Sequence, residues 1–121
     1  MPDDLTILQA ELASRELARR SYADYLALTT PGWKSTRLSR FLADTVQQFV
    51  ERKTGNAYDI LVVECPPQHG KSMSLTEAFP SWYLGKYPTS RVIEASYNEE
   101  TAERFNRRNK EKILNYGAAL F

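Results

Sequence analysis

A short apolar run followed by a glycine-lysine-serine tripeptide constrains this chain more than any other feature. Residues Ile60 to Val63 are rich in β-branched side chains and too few for a helix, which is typical of a buried parallel strand. Two prolines end the run, and Gly70-Lys71-Ser72 then opens a predicted helix. The order of strand, turn and helix predicts a phosphate-binding loop, because the N–H groups and the dipole of a helix N-terminus attract anions.

Each residue type in such a loop has a chemical role. Lys71 would contact the β- and γ-phosphates of ATP, and the Ser72 hydroxyl would hold Mg²⁺. The full pattern begins with a glycine five positions before Gly70, where this chain carries Cys65. The alternative interpretation is an ordinary strand-to-helix turn with a solvated lysine.

The segment Pro66-Pro67-Gln68-His69-Gly70-Lys71-Ser72 resembles the variant Walker A motif of tailed-bacteriophage terminase large subunits. Further segments at 79–85, 91–98 and 102–105 follow in the order and spacing of that family, and 38–50 is similar to the helix before its first strand. The resemblance covers roughly residues 20 to 115. It implies the ATP-driven motor of a phage or prophage, which packages double-stranded viral DNA into procapsids in the cytoplasm of the bacterial host cell.

The same resemblance implies cofactors, partners and a site. ATP and Mg²⁺ are the cofactors, and the portal and the small terminase subunit are expected partners besides DNA. The nucleotide would contact the loop residues, which are Gln68, His69, Gly70, Lys71 and Ser72. Many relatives carry a basic residue at the position of Gln68, whose amide can donate only a neutral hydrogen bond. In related motors a segment before the first strand contacts adenine, so Trp33 and Arg37 are candidates for that contact; packing of Trp33 under the domain is the alternative.

The expected fold class is α/β, a partial P-loop NTPase of the helicase-like motor type. N-terminal helices would precede a parallel βαβα unit, with strands at 60–65 and 91–97 and right-handed crossover. Residues 1–30 are predicted as an N-terminal helical segment, in which residues 3–28 form one kinked helix or two helices. Residues 31–121 are predicted as the N-terminal portion of the ATPase domain, truncated before the acidic Walker B strand.

Hydrolysis needs an acidic residue at the end of another apolar strand, where it holds Mg²⁺ together with Ser72. The sequence shows no apolar run ending in an acid after residue 74, so the catalytic residue is unknown and enzyme activity of this chain is left open. The nuclease half of the terminase family is also absent. We therefore expect the chain by itself to hydrolyse ATP negligibly.

Two other functions remain open beside the terminase interpretation. Sixteen basic and fifteen acidic residues give a net charge of +1, which provides no global electrostatic argument for nucleic-acid binding. The single cysteine excludes an internal disulfide, and no run of 18 apolar residues indicates a membrane span. A non-enzymatic interaction or nucleic-acid-binding module, using Arg15, Arg19, Arg20 and a basic last helix, is one alternative. The start of another helicase-like P-loop ATPase is the other.

Overall fold

All of the regular secondary structure in the described part of the chain is helical. The computed structural model describes residues 3–64 and 75–121. Within these ranges there are five helices and no strand. The helices are α1 (Asp4–Arg20), α2 (Tyr22–Thr29), α3 (Arg37–Glu51), α4 (Phe79–Lys86) and α5 (Glu99–Leu120).

Polar side chains fix the N-termini of three helices. The Asp3 carboxylate accepts a hydrogen bond from the Thr6 N–H at 2.8 Å, and Asn98 accepts one from Thr101 at the same distance. At α3, Thr36 and Ser39 satisfy each other's backbone N–H groups in a capping box. These contacts satisfy donors that a helix start leaves unpaired. The sequence predicts that Asn98 or Ser96 caps this last helix, and the structure has Asn98 as the cap.

The N-terminal helical segment is broken at Ser21, which ends α1 and caps α2. The side chain of Gln47 on α3 bridges the break, since it accepts from the Tyr22 N–H at 2.8 Å and donates to the Arg20 carbonyl at 2.7 Å. Two helices therefore occupy the region in which the sequence allowed a kink or a break.

Aromatic residues of α2 and α4 form the centre of the core. Tyr22, Tyr25, Leu26 and Trp82 are almost completely buried. Ala18, Ala43, Ala78 and Leu120 complete the cluster from other parts of the chain. The Tyr22 ring lies 5.3 Å from that of Trp82 and meets Phe79 edge-on at 5.2 Å. Such pairs add to the free energy of burial through favourable ring geometry.

One face of α3 packs on this cluster. Leu42, Ala43 and Val46 are buried, as the spacing of a core-facing helix requires. The sequence pattern predicts that Leu38 and Phe41 also point inward; this is wrong, because both side chains are exposed. Phe41 and Leu42 are consecutive, so they point about 100° apart on the helix and only one can lie at the centre of the buried face.

The prediction of an α/β fold with a parallel βαβα unit is wrong for the described residues. Residues 60–64 and 91–97 form no strand and do not pair. Several of their apolar side chains face solvent instead of a core; Ile60 is 73% exposed and Ile93 is 92% exposed. A parallel strand is stable only between neighbouring strands and with both faces covered. Here the core is filled by helices, and these two short runs have no such neighbours.

Helices from both predicted parts of the chain contact each other. The Trp82 indole N–H donates to the Ala18 carbonyl at 3.1 Å, and the Lys112 ammonium donates to the Thr29 carbonyl at 2.8 Å. The division at residue 30 stays a prediction. No helix in the described ranges combines the length and apolar character that crossing a bilayer requires.

Candidate functional site

The predicted phosphate-binding residues Gln68, His69, Gly70, Lys71 and Ser72 lie outside the described residues. The structure does describe the chain on both sides of them, up to Glu64 and from Leu75 onward. The geometry that can be given for the candidate site is therefore that of the residues just before and just after the predicted loop.

The upstream flank is organised around Asp59. Its carboxylate accepts from the Asn56 amide at 3.0 Å and from the Thr54 hydroxyl at 2.8 Å. Arg52 lies 3.7 Å away. The hydrogen bond from Asn56 and then that from Thr54 lower the pKa of Asp59 from its ordinary value. A positive φ of 73° at Gly55 allows the tight turn that brings these residues together.

The downstream flank is held by Asn109 on α5. Its amide donates to the Thr76 carbonyl at 2.7 Å and accepts from the Ser81 N–H at 3.1 Å. Asn109 is buried, and Ser81 lies in the first turn of α4. One side chain thus ties the residues after the loop to both α4 and α5.

Asn109 also contacts a half-buried carboxyl group. Its amide donates to Oε1 of Glu94 at 2.9 Å, whereas Oε2 is buried without a hydrogen-bond partner among the residues described. Burial, and then repulsion from Glu77, raise the pKa of Glu94 to about 7. Glu94 lines a cavity of about 410 Å³ whose other walls include Pro80, Val92 and Ile113. A carboxyl group with such a pKa can gain or lose a proton near neutral pH.

Cationic side chains border the same region. Arg104 lies 3.7 Å from the Glu77 carboxylate. Lys112 donates to the Thr29 carbonyl and, at 3.0 Å, to the Thr30 hydroxyl, so its charge lies at the negative end of the α2 dipole. Burial lowers the pKa of Lys112 from its ordinary value. Together Glu77, Glu94, Asn109, Arg104 and Lys112 form a polar cluster directly after the predicted loop.

The raised pKa of Glu94 predicts a pH dependence of stability. The folded state binds the proton more tightly than the unfolded chain, whose glutamate has a pKa of 4.5. The contribution of Glu94 to the free energy of unfolding is therefore fully present below about pH 4.5 and is lost as the pH rises to about 7. Because the side chain keeps part of its hydration, we expect a loss of about 1–2 kcal/mol, less than the full shift implies.

Urea unfolding of wild type and Glu94→Gln between pH 4.5 and 7.5 measures this contribution. Glu94→Gln should flatten the pH dependence, and Glu103→Gln, an exposed control on α5, should leave it unchanged. Parallel pH profiles for wild type and Glu94→Gln would contradict the assignment.

The two candidate adenine contacts lie at the start of α3. The Trp33 side chain is half-buried and packs against the core cluster. The backbone N–H of Trp33 donates to the Thr30 carbonyl at 3.1 Å. Arg37, the first residue of α3, is exposed. Packing accounts for the burial of Trp33, and contact of either residue with a base stays a prediction.

The arginines of α1 are paired with acids on the same helix. Arg15 is bonded to Glu11, and both Arg19 and Arg20 contact Glu16. Such pairs between residues three or four apart are typical of a solvated helix face. Surface pairs of this kind contribute little to stability, about 0–1 kcal/mol each.

Sequence reasoning did not assign roles to Asn109 and Glu94. The signal for Asn109 was present, because it lies four residues after Phe105 and four before Ile113, on the apolar face of α5. A polar residue at such a position needs a buried partner. Glu94 lies within residues 91–97, which the sequence predicted as a strand. That prediction gave no reason to expect Glu94 beside α5.

Comparison of the chain with protein-family models, curated proteins and solved structures finds no match. In the described ranges, no group of three or more histidine, cysteine, aspartate or glutamate side chains is placed to hold a metal ion.

Proposed function

We propose that this chain is the ATP-binding part of a terminase large subunit, the motor that packages double-stranded DNA into phage procapsids. The observation that carries the proposal is Gly70-Lys71-Ser72, which stands within an ordered series of segments similar to that family. The proposal concerns nucleotide contacts made by the loop and does not include a parallel sheet. The portal, the small terminase subunit and the cytoplasm of a bacterial host belong to the same proposal.

The anchored flanks support this function. Binding a phosphate with backbone N–H groups requires a loop whose two ends are held in place, because an unrestrained loop loses more conformational entropy on binding. The hydrogen bonds of Asp59 order the chain before residue 65, and those of Asn109 hold Thr76 after residue 74. Asp59 lies nine residues before Gln68, and Thr76 lies four residues after Ser72.

The residues of the loop have separate roles in the proposal. Lys71 contributes a positive charge to the phosphates, and Ser72 contributes an oxygen to Mg²⁺, which neutralises phosphate charge when bound. Gln68 and His69 donate hydrogen bonds to phosphate oxygens. Because the acid that would complete the Mg²⁺ site was not found in the sequence, we expect binding in the millimolar range, about −4 kcal/mol, and negligible hydrolysis.

Calorimetric titration with Mg-ATP tests the proposal. Lys71→Ala should weaken binding by about 10-fold or more, since a charge-assisted contact with phosphate contributes roughly 1.5–3 kcal/mol. Lys53→Ala removes an exposed lysine upstream of the loop and should leave the affinity unchanged. Both variants lose one positive charge, so a difference between their affinities for Mg-ATP shows that the location of Lys71 matters.

One result would contradict the proposal, and another would contradict only the expectation of negligible hydrolysis. Equal affinity of wild type and Lys71→Ala would show that the tripeptide does not bind phosphate. Steady ATP hydrolysis by wild type, abolished in Lys71→Ala, would support nucleotide binding but would show that the catalytic acid is present and was missed.

A further inference from the structure

Helix α1 exposes a stripe of leucines. Leu5, Leu8 and Leu12 follow one another at spacings of three and four residues, which places them along one side of the helix. Each side chain is more than half exposed. Isolated exposed leucines are ordinary on protein surfaces, whereas a continuous stripe on one helix is typical of a contact surface.

The part of α1 that carries the stripe lies at the surface. Every residue from Asp3 to Ser14 is exposed, and the first buried residue of the helix is Ala18. Asp3 caps the helix at its far end, and Glu11 is bonded to Arg15 one turn along. Local contacts therefore maintain the helix while its apolar side remains uncovered by the described chain.

Charge along α1 is divided between its two ends. Residues 3–11 contain three acidic side chains and no basic one, whereas residues 12–20 contain three basic side chains and one acidic. Two copies in parallel would place like charges together. Two copies in antiparallel orientation place the acidic end of each beside the basic end of the other.

We propose that a second copy of this chain docks on α1 in antiparallel orientation, forming a two-fold symmetric pair of helices. The contact is isologous, with Leu8 of each copy packed against Leu12 of the other. This register brings Asp4 of one copy near Arg15 of the other, and the aliphatic stem of Arg15 covers Leu5. The dimer does not depend on the nucleotide function.

The size of this surface sets the strength of the dimer. A pair of short helices with three leucines each buries an area at or below the lower end of stable interfaces, which is about 1,200 Å² in total. We therefore expect a reversible dimer that forms at micromolar concentrations of the full chain, rather than a permanent one.

Sedimentation equilibrium over a range of concentrations tests the contact. Leu8→Glu should raise the dimer dissociation constant at least 10-fold. Ile7→Glu is the matched control, because Ile7 is 53% exposed and Leu8 is 51% exposed, but consecutive residues point about 100° apart on the helix. Ile7→Glu should leave the dissociation constant unchanged within about 2-fold, and circular dichroism should show equal helix content in both variants.

Charge reversal tests the orientation. Arg15→Glu should weaken the dimer, and adding Asp4→Arg to that variant should restore it, since the cross-helix pair is then rebuilt with opposite sign. High salt should weaken the wild-type dimer by screening this pair.

Three results would overturn the proposal. The first is a wild-type chain that stays monomeric at all accessible concentrations. A monomeric chain that binds lipid vesicles would overturn the proposal in the same way. The second is equal weakening by Leu8→Glu and Ile7→Glu. The third is self-association unaffected by Leu8→Glu, which would place the contact outside the leucine stripe.

Discussion

Replacing Trp82 with alanine is expected to lower the free energy of unfolding by about 3–5 kcal/mol, because the substitution removes a large buried side chain. Trp82 is completely buried and touches the rings of Tyr22 and Phe79. Truncation removes this apolar contact and leaves a cavity between α2 and α4. Because small proteins have a stability of about 5–15 kcal/mol, we expect the variant to retain only a small part of its free energy of unfolding.

Trp82 also satisfies a backbone carbonyl at the end of α1. The last four carbonyls of a helix have no partner within it, and the indole N–H supplies one to Ala18. Trp82→Phe keeps most of the apolar volume but removes this donor, so it should cost less than Trp82→Ala. Trp33→Ala is the matched control, since Trp33 is only half-buried against the same cluster.

Urea unfolding followed by circular dichroism measures all three variants. The expected order of stability loss is Trp82→Ala first, with Trp82→Phe and Trp33→Ala smaller. A loss below about 1 kcal/mol for Trp82→Ala would contradict the placement of this side chain at the centre of the core.

Asn109→Ala is expected to produce the second largest effect, a loss of about 2–4 kcal/mol. The substitution removes the hydrogen bonds of Asn109 with the Ser81 N–H and the Thr76 carbonyl, although the Ser81 N–H keeps its contact with the Ala78 carbonyl at 3.2 Å. Each hydrogen bond lost contributes about 0.5–1.5 kcal/mol. It also removes the hydrogen bond to Glu94. The flank of the predicted loop should become less ordered as a result.

Asn106→Ala is the control for Asn109→Ala. Asn106 lies one turn earlier on α5 and is exposed, so its replacement should change stability by no more than about 0.5 kcal/mol. Hydrogen exchange adds a second measurement, because Asn109→Ala should increase exchange at Ser81. Equal stability of the two variants would show that Asn109 does not join α4 and α5.

Much of the local structure followed from the sequence alone. The sequence predicts a helix cap at Asn98 or Ser96, a kink or a break within residues 3–28, and a turn at Gly55 that ends a helix. The structure has the cap at Asn98, the break at Ser21 and the positive φ at Gly55. Hydrogen bonds from Asn or Ser side chains to nearby N–H groups, and the freedom of glycine at positive φ, are local properties. They are recognisable before the fold is known.

The pairing of distant segments was decided only by the tertiary structure. The runs at 60–63 and 91–97 have the composition of strands, but a strand needs a partner along its edge and cover on both faces, and composition specifies neither. In the described structure the aromatic rings of Tyr22 and Trp82 fill the core, and those runs remain exposed. The contacts of Asn109 with Thr76 and Ser81, 33 and 28 residues away, likewise arise only when α4 packs on α5.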